Sequence, residues 1–187
     1  MEAFSDGVIA IIITIMVLEL RVPHGAQLGD LKPLIPVFLS YVLSFVYLGI
    51  YWNNHHHLLQ AAKQVDGRVL WSNLHLLFWL SLIPFVTAWM GENHFSSMPA
   101  ALYGVVLLGA AVAYFILAQA LLVHHGKNSL IAKAIGDDFK GKISLVLYSA
   151  AVVIAFWGPL VSCAIYALVA FIWFVPDRRI EKVITHD

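Results

Sequence analysis

Apolar residues fill six stretches of this chain almost without interruption, and the polar residues gather between them. The stretches are 4–20, 33–53, 70–90, 99–123, 143–157 and 160–175. A helix crosses a hydrocarbon core of ~30 Å with roughly 17–25 residues. The pattern therefore predicts an all-α membrane protein with six transmembrane helices, forming a single domain over residues 1–187. The last two stretches are short, and Gly158-Pro159 between them reads as a tight turn. They are expected to form a helical hairpin whose ends reach the interface at Lys142, Trp157, Trp173 and Arg178. A single kinked helix in their place, giving five spans, is the alternative. Pro84 predicts a kink in the third span, Gly104 and Gly109 predict close packing in the fourth, and residues 129–136 predict a short interfacial helix.

Composition agrees with a bilayer. Hydrophobic residues make up 61% and charged residues 12%, with a mean hydropathy of +0.84. A soluble domain carries about 25% charge. The formal charge is zero and no basic block occurs, which argues against nucleic acid as a partner. The lone Cys163 lies in an apolar run and reads as a small core residue. Met1–Gly7 carries Glu2 and Asp6 but no Lys or Arg, so the first span is expected to be retained rather than cleaved as a signal peptide. No loop is long enough for a further domain.

Charge orients the spans. Lys63, Arg68, Lys127, Lys133, Lys140, Lys142, Arg178, Arg179 and Lys182 fall on one side, and only Arg21 and Lys32 on the other. The positive-inside rule then predicts that both termini are cytoplasmic.

The first span has two faces. With Ile11 set at zero on an ideal helix, Ile15 falls at about +40°, Leu18 at about −20° and Thr14 at about −60°. Asp6 falls at about −140° and Ser5 near +120°, both on the far side. The acid and the stripe must look at different neighbours. Ser5 or Asp6 can be ordinary caps of the first turn, and the stripe can be a lipid or packing face. Phe4 lies near the stripe on the same wheel.

The run FSDGVIAIIITIMVLEL, starting at Phe4, closely resembles the first helix of the transmembrane protein 175 family of potassium channels. YWNNHHHLL from Tyr51, SNLHLLFWLSLIPFVTAW from Ser72 and WFVPDRRIE from Trp173 resemble bacterial members. The resemblance implies a homotetramer whose first helices line a central pore, with stacked side-chain rings in place of a carbonyl filter. The positions it assigns to the pore are Ile11, Thr14, Ile15 and Leu18. It also implies that Phe4, Ser5 and Asp6 hold the pore helix within its own subunit, with Phe4 packed inward. Asn73 or His75 is the expected partner of Asp6, with Asn53 and Asn54 at the same level. The family pattern places an Arg or Lys four residues before this Phe, a position ahead of Met1. Either the start lies further upstream or that anchoring residue is missing; the stripe is unaffected.

His55, His56 and His57, with His124 and His125 opposite, invite a metal reading. Three consecutive histidines point in different directions on a helix, and no Cys or adjacent acid completes a set. No metal and no cofactor are therefore expected, and the histidines read as interfacial packing, hydrogen bonding or a pH response. Trp52, Trp71, Trp89, Trp157 and Trp173 read as interfacial anchors.

The expected function is a modestly potassium-selective, leak-type channel in a prokaryotic plasma membrane, passing K⁺ and with H⁺ as a further candidate ion. A proton channel or proton-coupled transporter is the rival, although the central turns of the spans carry no charge. An intramembrane metal hydrolase would need an HExxH helix or paired carboxylates, which the sequence lacks. A structural scaffold is the remaining reading.

Overall fold

A computed structural model of the protein describes residues 1–62, 64–125 and 139–174. Among them the secondary structure is entirely helical. The elements are α1 (Glu2–Leu18), a 3₁₀ segment (Leu28–Leu34), α2 (Ile35–Gln60), α3 (Gly67–Ser81), α4 (Ile83–Glu92), α5 (Ser97–His125), α6 (Phe139–Ile154) and α7 (Pro159–Phe174). Among the described residues, three helical stretches are long and apolar enough to cross a membrane: Leu28–Gln60, Gly67–Glu92 and Ser97–His125. The helix Pro159–Phe174 is apolar but shorter.

Local chemistry sets the boundaries. Pro84 has no N–H to donate, and its ring crowds the carbonyl four residues back. The third apolar stretch accordingly breaks at Leu82 into α3 and α4, the kink expected there. Asp66 caps α3 by accepting the Val69 amide at 2.9 Å. That amide, joined by the nearby His124, holds the Asp66 carboxyl below its ordinary range. Pro36 sits in the first turn of α2, where its missing donor costs nothing. Residues 155–158 turn the chain from α6 into α7, as the Gly-Pro pair predicts.

Two boundaries differ from expectation. Helix α2 continues to Gln60, seven residues past the expected end, so the whole YWNNHHHLL segment is helical. Its inward residues Ser44, Leu48, His55 and Leu59 continue one buried stripe, and packing sustains the helix beyond its apolar run. Before α2 the chain coils into a 3₁₀ segment whose start is tied by Asp30 Oδ2, accepting the Gln27 amide at 2.9 Å. The expected interfacial helix at 129–136 lies outside the described residues, as do Lys63, Lys127, Lys133, Arg178, Arg179 and Lys182.

Helix α5 is the hub, packing against α3, α4, α6 and α7, while α1 leans on α2, α3 and α4. Close approach depends on small residues. A Cβ added at Gly104 would meet Tyr166 and Val152, and one added at Gly109 would meet the Trp79 ring. Hydroxyls fasten the interior. Ser44 lies 2.6 Å from Thr87 and 3.0 Å from Tyr103, joining α2, α4 and α5. Tyr47 donates to the Tyr166 carbonyl at 2.6 Å, and Tyr166 donates to the Ala100 carbonyl at 3.1 Å, tying α7 to α2 and α5. Arg21 pairs with Glu92 at 2.9 Å, so the far ends of α1 and α4 lie together. Replacing Gly104 with valine forces α5 and α7 apart, an overpacking that costs about 1–3 kcal/mol. The melting temperature of the detergent-solubilised protein should fall by several degrees, and an unchanged melt would mean that Tyr166 does not close on this position.

Candidate functional site

Helix α1 sorts its residues by side. Ser5, Ile9, Ile12 and Met16 are buried against the rest of the subunit. Ile11, Ile15 and Leu18 are left 60%, 42% and 77% exposed, and Thr14 shares their face. The angular stripe of the helical wheel is thus bare within one chain, and the opposite edge is packed. Ala3, Gly7 and Ala10, also exposed, flank the stripe on one side. Thr14 donates its hydroxyl to the Ala10 carbonyl at 2.9 Å. Its proton is thereby used within the helix, and the oxygen keeps accepting capacity.

The first turn is held by polar contacts. Ser5 is fully buried; its hydroxyl donates to the Met1 carbonyl at 3.2 Å and accepts from Asn73 Nδ2 at 3.0 Å. The other end of the same amide, Asn73 Oδ1, lies 2.7 Å from His55 Nε2. Ser5, Asn73 and His55 form a continuous buried chain across α1, α3 and α2. Asn73 and His55 are 2% and 0% exposed, so each group depends on its protein partner.

Three expectations are corrected here. Asp6 pairs with neither Asn73 nor His75; its Oδ1 accepts the indole N–H of Trp52 at 3.0 Å. One residue turns a helix by about 100°, so when Ser5 faces α3, Asp6 faces α2. His75 takes no part for the same reason. Two residues beyond Asn73 on α3, it faces outward and accepts from Trp79 Nε1 at 3.0 Å. Phe4 does not pack inward: it is 59% exposed on the bare face of α1, where the wheel places it. Asn53 and Asn54 are not partners of Asp6 either, and Asn54 donates to the Ile50 carbonyl at 2.8 Å.

Two contributors escaped the sequence reading. Trp52 reads in the sequence only as an interfacial anchor, although its N–H is the donor that Asp6 needs. His55 reads as one of a run of three, yet its spacing of 7 from Leu48 and 4 from Leu59 puts it on the buried stripe of α2. That spacing was available to separate it from His56 and His57.

Comparison with known proteins identifies the family. The family model described as endosomal/lysosomal potassium channel TMEM175 matches residues 1–84, which take in α1, α2, α3 and the start of α4. A potassium channel of Chryseobacterium sp. (strain P1-3) is 53% identical, covering 97% of this chain and 95% of that one. The endosomal/lysosomal proton channel TMEM175 of Danio rerio is 27% identical over 66% of this chain, but only 24% of its own length is matched. A crystal structure of a lysosomal potassium-selective channel TMEM175 homolog from Chamaesiphon minutus superposes with a TM-score of 0.80 at 27% identity, covering 93% of this chain and 94% of that one. With its helical bundle and near full-length kinship to a named channel, the chain belongs to the TMEM175 family of membrane ion channels and is not an enzyme.

Proposed function

We propose that four copies assemble with their α1 helices around a shared axis, forming a potassium-permeable leak channel in a prokaryotic plasma membrane. Each subunit contributes six spans, with α3 and α4 together making the third, and both termini lie in the cytoplasm. The observation that carries this reading is the division of α1 into a packed edge and a bare stripe of Ile11, Ile15 and Leu18. The potassium channel of Chryseobacterium, related over nearly its whole length, supports the choice of ion.

Four Ile11 side chains at one level make a narrow apolar ring that sheds water and hinders ions unless it widens. Ile15 and Leu18 add rings one and two turns further along. Sodium holds its hydration shell more tightly than potassium, so a ring that strips water penalises sodium more. Thr14, with its proton committed to Ala10, offers oxygen lone pairs to a passing cation. Ser5 and Asp6, through Asn73 and Trp52 respectively, hold the cytoplasmic end of the pore helix in register; Phe4 and His75 lie outside those bonds. No cofactor enters this scheme.

A second reading has one observation in its favour: animal relatives carry the name proton channel. Reversal potentials in bi-ionic solutions separate the two. Reconstituted protein should reverse at a potential set by K⁺ over Na⁺, and current that follows only the pH gradient would leave the proton reading. Ile11→Asn should raise conductance and lower discrimination; losing about 1.4 kcal/mol of it changes the permeability ratio tenfold. An unchanged ratio would remove Ile11 from the constriction. Asn73→Leu removes the donor to Ser5, which keeps its bond to the Met1 carbonyl, and leaves the buried His55 Nε2 without its partner, at a cost of about 1–3 kcal/mol. A lower melting temperature, with single-channel openings of varied amplitude, is expected, and wild-type values for both would mean that this chain of bonds does not hold α1.

A further inference from the structure

Beside the Ser5 chain lies a second cluster, of which the pore reading uses only Asp6. Helix α1 presents Glu2 and Asp6 four residues apart, and α2 presents His56 between them. One ligand atom from each lies within 4.8 Å of the other two. This supplies the acids that the histidine run lacks in sequence: they arrive from another helix. His56 stands one residue from His55, so it turns toward α1 while His55 points at Asn73.

His56 Nδ1, like the Nδ1 atoms of His55 and His57, is buried without a hydrogen bond, but it alone has a carboxylate oxygen beside it, Glu2 Oε1 at 3.0 Å. The nitrogen faces the Glu2 carboxylate directly, and Asp6 completes a group close enough for one cation to be shared by all three. Both remaining sides of the set are braced. Gln60 Nε2 lies 2.9 Å from His56 Nε2, and turning that amide over lets its oxygen accept Nε2–H, leaving Nδ1 as the free donor atom. Trp52 stacks on the His56 ring at 5.7 Å and donates to Asp6 Oδ1. Metal-binding histidines and carboxylates are held by such outer partners, which fix the direction of the lone pairs. The site is open enough to load, since the side chains of His56 and Glu2 are 29% and 42% exposed.

We propose that Glu2, Asp6 and His56 form a site for a divalent transition metal, one per chain, bridging the first turn of α1 to α2. One imidazole and two carboxylates are a ligand set for zinc and its first-row neighbours, with water completing four-coordination. Magnesium and calcium, which take oxygen ligands, are disfavoured. Because the ligands come from two helices, occupancy pins the first turn of α1.

The test uses the purified full-length chain in detergent and zinc chloride as the probe. Calorimetric titration should give one saturable site per chain and a raised melting temperature, with no such effect of magnesium. Glu2→Gln and His56→Ala should each weaken zinc binding at least tenfold, whereas His124→Gln should leave it unchanged. Zinc-edge X-ray absorption on the wild-type chain needs no variant. It should show a first shell of nitrogen and oxygen at about 2.0–2.2 Å. Absence of saturable binding, a smaller loss in either ligand variant, loss on His124→Gln, or a sulfur-containing shell overturns the site.

Discussion

In the interior of a bilayer a polar group can bond only to protein, because water is not there to take its place. The bundle is arranged around this constraint. Ser44, Thr87 and Tyr103 answer one another, Tyr47 and Tyr166 reach backbone carbonyls, and Ser5, Asn73 and His55 close a chain over three helices. Apolar surface gives little direction to helix packing in lipid, since lipid tails are as greasy as leucine. Directional bonds therefore determine which helix faces which. Small residues then allow the approach, as Gly104 does beneath Tyr166 and Gly109 beside Trp79.

This division of labour explains how the fold could be read from the chain. Long apolar runs announce helices, and Pro84 and Gly158-Pro159 punctuate them where the structure breaks. Boundaries set by packing rather than composition were not legible. The last turns of α2 are polar in sequence and are helical because His55, Leu58 and Leu59 are buried by their neighbours. The 3₁₀ segment depends on one side-chain tie from Asp30, a signal too short to stand out.

The candidate site was legible to the same extent. Periodicity alone separates Ile11, Ile15 and Leu18 from Ile9, Ile12 and Met16, and the structure divides them in the same way. Partners across helices are another matter. A wheel says that Ser5 and Asp6 diverge from the stripe, but it cannot say which element waits on each side. Within the sequence Trp52 reads as an anchor, His55 as one of a run and Glu2 only as a charge. Their grouping follows from the relative rotation of α1, α2 and α3, a property of three helices together and of no single segment.

The bare face of α1 has one more consequence. In water, exposed isoleucines would drive subunits together simply to escape the solvent. Against acyl chains they gain almost nothing by that route, so shape has to supply the preference for a neighbour. Ala3, Gly7 and Ala10, running beside Ile11 on the same open face, give such a surface its shallow trough. For the assembly proposed above, enlarging one of these small residues would disturb subunit affinity more than trimming an isoleucine, which places oligomer strength and ion passage on adjacent but separable strips of one helix.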